Sequence, residues 1–239
     1  MNHPSSTSRS RPAAARASQL SASQRAGLHA AAVHGEGHIP ACLPANEARQ
    51  LAELGLVQAL STGLDTRFGP LTRAPSYRIT RAGRSRAQRA PRPQVLLVPC
   101  SMGKAEVPAA PAGEMYVGPY HVAARKAAAA AAEAADGSAQ VLTLSAKFGL
   151  LRDEDPILHY DLRAGQNGTV SPHVLARQAH FLGVSAARVT VFAGRSYADL
   201  AAAIWPTLEH PLRGLGIGQH LAFFADLYRP SRRTVLQRP

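Results

Sequence analysis

Three short apolar runs restrict what this chain can fold into. Val95-Leu96-Leu97-Val98, Val141-Leu142-Thr143-Leu144 and Val189-Thr190-Val191-Phe192 are rich in β-branched residues and carry no charge. Continuous runs of this kind suit strands buried on both faces. Between and after them lie stretches that read as helices. One is alanine-rich, from about Tyr120 to Ala135. One opens at Ser171-Pro172, with proline at the first helical position. Another is expected to be capped by Ser196 and to end before Pro206, and the last runs from Gly218 to Tyr228. This alternation predicts an α/β domain over 94–229, with a mostly parallel sheet and helices on both faces. The stretch between the second strand and Ser171 reads as a long loop.

The first third of the chain has a different pattern. Residues 1–19 are Ser, Arg, Pro and Ala without periodicity and read as a disordered basic tail. A helix is expected from Ser21 or Ser23 toward Val33 and a second from Ala45 to Leu54, ending at Gly55. Leu56–Leu60 and Tyr77–Thr80 read as strands, and Thr80 as the cap of a short helix. Residues 20–90 are therefore expected to form a small separate domain, 91–93 a proline-bearing linker, and 230–239 a basic tail. Residues 1–92 hold 13 Arg, no Lys and four acids, so most of the net charge of +12 belongs to them. Guanidinium pairs bidentately with phosphate, which points this segment toward nucleic acid, DNA ahead of RNA.

Each apolar run is followed at once by polar residues. Cys100, Ser101 and Lys104 follow the first, Ser145 and Lys147 the second, and Gly194, Arg195 and Tyr197 the third. In an open parallel sheet ligands bind outside the carboxyl ends of the strands. The three cations are expected to converge there on an anion. Gly216, Gly218 and Gln219 form a glycine-rich turn leading into the last helix, either a tight turn or a cradle for phosphate. Tyr116, Tyr120 and Tyr160 are candidates to stack on a base. Asp161 and Glu114 are candidate acid/base groups. Cys100 is a candidate nucleophile with His121 as its base, since a strand-end thiol near cations is expected to ionise readily.

Taken as an ordered set, these residues resemble an uncharacterised bacterial and phage domain family. The set is Pro99-Cys100-Ser101 with Lys104, then Tyr116 and His121, Ser145-Ala146-Lys147-Phe148-Gly149-Leu150-Leu151, and Tyr160-Asp161-Leu162. The likeness spans about 94–228. Similar Pro-Cys-Ser and Ser-Ala-Lys-aromatic-Gly pieces occur in domains attached to tRNA-guanine transglycosylase-like enzymes, which implies nucleobase or nucleic-acid chemistry. Met102 and Gly103 depart from the pattern. Ala48–Val57, followed by Tyr77-Arg78-Ile79-Thr80-Arg81-Ala82-Gly83-Arg84, resembles winged-helix domains. Segment 36–44 is too rich in Gly and Pro for the usual middle helix. That resemblance makes Arg49, Arg67, Arg73, Arg78, Arg81 and Arg84 candidate phosphate contacts.

The expected function is that of a nucleic-acid-associated protein. Its α/β domain would bind or process a nucleotide, nucleobase or nucleic acid, with N-glycosidic bond chemistry as one route. The alternative is a DNA-binding regulator that senses a small anion. The two cysteines have no zinc spacing and no apolar run reaches transmembrane length. No metal, cofactor or membrane is therefore expected, the cytoplasm is the expected compartment, and a homodimer is allowed.

Overall fold

The structure, a computed structural model, describes residues 20–60, 76–135, 137 and 139–229, with the backbone alone of 64–66 and 69–71. The two expected tails, and Arg67 and Arg73, lie outside the described residues.

The N-terminal segment contains α1 (Ala22–Val33), α2 (Ala45–Glu53), β1 (Val57–Leu60), β2 (Leu64–Thr66), β3 (Gly69–Leu71), β4 (Ser76–Ile79) and α3 (Arg81–Arg89). Ser21 starts α1 with a reciprocal cap: its hydroxyl accepts from Gln24 N, and Gln24 Oε1 accepts from Ser21 N. Strands β1 and β4 pair antiparallel, and β2 pairs with β3. Leu28, Leu51, Val57, Ile79 and Ala87 close a small core between these elements. The Thr80-x-x-Gly83 motif has a physical cause. Thr80 Oγ1 caps α3 through Gly83 N and also donates to Gly55 O. A Cβ at position 83 would lie 2.1 Å from Leu56 O, so only glycine lets α3 approach the turn between α2 and β1.

The second part is mixed α/β. Its elements are β5 (Gln94–Pro99), β6 (Ala109–Pro111), α4 (Ala112–Met115), α5 (Pro119–Ala134), β7 (Ala139–Ser145), β8 (Gly149–Leu151), β9 (Pro156–Leu158), α6 (Pro172–Phe181), β10 (Arg188–Val191), α7 (Arg195–Ala202) and α8 (Ile217–Tyr228). The main sheet has the order β10-β5-β7-β8. The first three strands run parallel, in register Val191↔Leu97 and Pro99↔Leu144. The edge strand β8 returns antiparallel after a tight turn.

Alternation along the strands assigns the helices to faces. Val95, Leu97, Leu142, Leu144, Val189 and Val191 meet Leu175 and Ala179 of α6, Ala198 and Ala201 of α7, and Trp205. Leu96 and Val98 meet Ala124, Ala127 and Ala128 of α5 and Phe224 of α8. Alanine along α5 brings that helix close to the sheet.

Two expectations need correction. Ser196 does not cap α7: Gly194 stands at the cap position and Ser196 lies inside the first turn. The long segment after β7 is not irregular throughout, because it contributes β8 and β9, the latter pairing with β6. The two parts of the chain touch. The His34 and His180 rings stack with centroids 4.3 Å apart, and a His29 ring nitrogen hydrogen-bonds Pro91 O at 3.1 Å.

Candidate functional site

Strands β5 and β10 end side by side, and a cavity of about 650 Å³ opens beyond them. Pro99, Cys100, Ser101 and Met102 line it from the end of β5, and Gly194, Arg195, Ser196 and Tyr197 from the start of α7. Tyr120 of α5, Leu162-Arg163-Ala164, and Ile217 and His220 at the start of α8 complete the wall. The first turns of two helices, α7 and α8, therefore face one space. Neither has a side-chain cap from its N-cap glycine, so backbone N–H groups there remain available to an anion. Arg195 is 92% exposed, with Asp199 at 3.7 Å.

The cavity holds polar side chains of definite geometry. Cys100 Sγ lies 3.0 Å from Tyr197 Oη and accepts a weak bond from Ala146 N at 3.5 Å. Tyr120 Oη lies 2.7 Å from His220 Nδ1. Burial pushes the Tyr120 phenol up to about 12, so it stays protonated. His220 is 7% exposed, and its Nε2 is buried with no partner among the described residues.

Behind this wall is a second, buried cluster centred on Tyr160. Tyr160 Oη lies 2.9 Å from both Tyr116 Oη and Ser145 Oγ. Ser145 Oγ also accepts from Lys147 N and Phe148 N, which holds the turn between β7 and β8. Lys104 Nζ sits 4.2 Å from the centre of the Tyr160 ring and donates to Ser101 O, while Lys147 Nζ sits 5.5 Å from that ring. Burial raises the Tyr160 phenol far above the usual range and Tyr116 to about 12. Burial also pulls the Lys104 ammonium below the ordinary lysine range, opposed by nearby Cys100 and Asp161.

The candidates thus separate into groups. Cys100, Ser101, Tyr120, Gly194, Arg195 and Tyr197 come together at the cavity. Tyr116, Ser145, Tyr160, Lys104 and Lys147 come together behind it. Of the three cations expected at one mouth, only Arg195 lines the cavity; the lysines rest on Tyr160. Tyr116 and Tyr160 are 2% and 5% exposed, which leaves no ring face for a base to cover. Asp161 and Glu114 are exposed and line no part of the cavity. Cys100 and His121 share no hydrogen bond, because His121 Nδ1 is bonded to Pro99 O at 2.7 Å. Gly216, Gly218 and Gln219 are exposed at the start of α8, where Gly216 N donates to Gln219 Oε1.

Residues 95–226 match the model of a family of unknown function, DUF6884. The chain belongs to that family. No curated protein and no solved structure matches it. The DUF6884 match takes in both clusters and every wall of the cavity. His220 and Leu162–Ala164 are cavity residues that the sequence reading missed. The available signals were the position of His220 just inside the helix after the glycine-rich turn, and that of Leu162–Ala164 directly after Tyr160-Asp161. Among the described residues no group of three or more His, Cys, Asp or Glu can hold a metal ion. None of their helices is long and apolar enough to cross a membrane.

On the N-terminal segment Arg49, Arg78 and Arg81 are exposed. Arg84 is turned inward, its Nη1 donating to Ala32 O at 2.9 Å, and so is spent on packing α3 against α1.

Proposed function

We propose that the DUF6884 domain binds a nucleotide, or a closely related phosphate-bearing compound, in the strand-end cavity. We further propose that the N-terminal segment is a winged-helix-like module that contacts DNA. The observation that carries the first part is the opening of two helix N-termini, with Arg195, onto one cavity of about 650 Å³. A phosphate suits the helix ends and the guanidinium. Leu162, Ala164, Ile217 and the Tyr120 ring offer an apolar wall for a base. The likeness to domains attached to tRNA-guanine transglycosylase-like enzymes favours the same ligand class.

Binding is favoured over N-glycosidic bond cleavage because no carboxylate lines the cavity among the described residues. Such cleavage calls for a positioned acid or base within hydrogen-bond reach of the bond. The regulator reading, ligand sensing coupled to DNA contact, therefore ranks first. Its support is the direct packing of the two parts through His34 and His180.

Isothermal titration of the full chain with nucleoside mono- and diphosphates tests the reading. A saturable site is expected, weakened about tenfold or more by Arg195→Ala, the order of a lost charge-assisted contact. Absence of saturation with every nucleotide, or unchanged affinity in the variant, would sink it.

A further inference from the structure

We propose that the cleft between α1 and α3 grips backbone phosphates of duplex DNA, with Arg25, Arg86 and Arg89 as the contacting side chains. This rests on the DNA-contact reading of the N-terminal segment and assigns it a surface. The cleft encloses about 470 Å³, and those three arginines line it with Leu20, Ala90 and Pro91. No acidic side chain lines it, and Arg25 and Arg89 form no ion pair among the described residues. Guanidiniums gathered around one concavity repel each other, and an entering anion relieves that repulsion.

Helix electrostatics explain only part of this arrangement. Arg86 and Arg89 are in the last turn of α3, where the helix dipole favours cations. Arg25 is in the first turn of α1, where the dipole opposes one, yet its Nη1 is tied to Leu20 O at 2.7 Å beside the cleft. Arg81 at the other end of α3 and Arg92 beyond Pro91 are also exposed. This row of exposed arginines suits a polyanion better than a single free phosphate. It runs along α3, whereas α2 carries only Arg49, so the cleft supplies backbone grip without reading bases.

Fluorescence anisotropy of a labelled duplex of about 20 base pairs, at several salt concentrations, tests the assignment on the full chain. The Arg25→Ala/Arg86→Ala/Arg89→Ala variant is expected to bind about tenfold or more weakly at 0.1 M salt. Its log–log salt slope should shrink by about 2 to 3, equally for unrelated sequences. Arg25→Lys keeps the charge and should restore most of the loss due to Arg25→Ala, while circular dichroism verifies that each variant is folded. If wild type binds and the triple variant matches it within twofold with the same slope, the cleft assignment fails and the DNA reading stands. If wild type binds no duplex even at low salt, both fail. If calorimetry shows millimolar inorganic phosphate binding to wild type but not to the triple variant, while the duplex binds both alike, the cleft is a free-phosphate site and its assignment to DNA is overturned.

Discussion

Gly149→Ala probes how the turn between β7 and β8 is built, and its cost follows from the geometry. Gly149 has φ +79°, in the left-handed region, where a side chain costs about 1–2 kcal/mol. A Cβ there would stand 2.0 Å from Gln178 Oε1, so Gln178 must leave. Gln178 now accepts from Leu150 N at 3.0 Å and donates to Phe148 O at 2.7 Å, which ties α6 to the turn. Each bond contributes about 1 kcal/mol net. The expected destabilisation is therefore about 3–4 kcal/mol, combining strain with two lost bonds. Gly165→Ala supplies the control, because its φ is +88° but nothing stands within 4 Å of its Cβ; only the strain of about 1–2 kcal/mol applies. Urea titration followed by Trp205, the sole tryptophan and 5% exposed, reads the α/β core directly. Equal losses for the two glycine variants, or a Gly149→Ala loss below about 1 kcal/mol, would refute the argument.

Two further perturbations act elsewhere in the molecule. Burial, and then His34 and His38, hold His180 down to about 4 in the folded protein, against about 6.5 unfolded. The unfolded chain therefore binds more protons between those values. Stability is complete above about pH 6.5 and falls toward pH 4, by about 1–2 kcal/mol after allowance for solvent screening. His29 and His121, also lowered mainly by burial, add in the same direction, so His180→Phe should flatten the pH–stability curve in part, and an unchanged slope counts against the assignment. Tyr120→Phe removes the 2.7 Å bond to His220 and leaves both imidazole nitrogens without partners. It should cost about 1–2 kcal/mol in urea titration and weaken nucleotide binding at the cavity; a silent substitution would show that the pair does not orient His220.

Secondary structure was most legible where periodicity and caps agreed. Ser21, Thr80 and Ser171 each cap the helix expected of them, because their hydroxyls meet N–H groups three residues on. Ser196 misled because Gly194, with extended backbone, begins α7 two residues earlier. Strands β6, β8 and β9 are three residues each, too short for an alternation to register. The Ser-Ala-Lys-Phe-Gly motif stood out as a candidate binding loop. Its serine and glycine are accounted for by the turn itself, through Ser145 Oγ on two backbone amides and the close approach of Gln178 to Gly149.

What the amino-acid order determined alone was local. It set the apolar strands, the helix starts, the arginine-rich first third, and the polar residues that follow each strand. These depend on neighbours a few positions apart, whose preferences the chain carries before it folds. Which of those polar residues share a space depended on packing between distant segments. Tyr160 drew Lys104 and Lys147 onto its ring, burial hid Tyr116, and the start of α8 brought His220 to the cavity that Arg195 also lines. Side-chain burial and cation–π contact are properties of the assembled core, so no spacing along the chain encodes them directly.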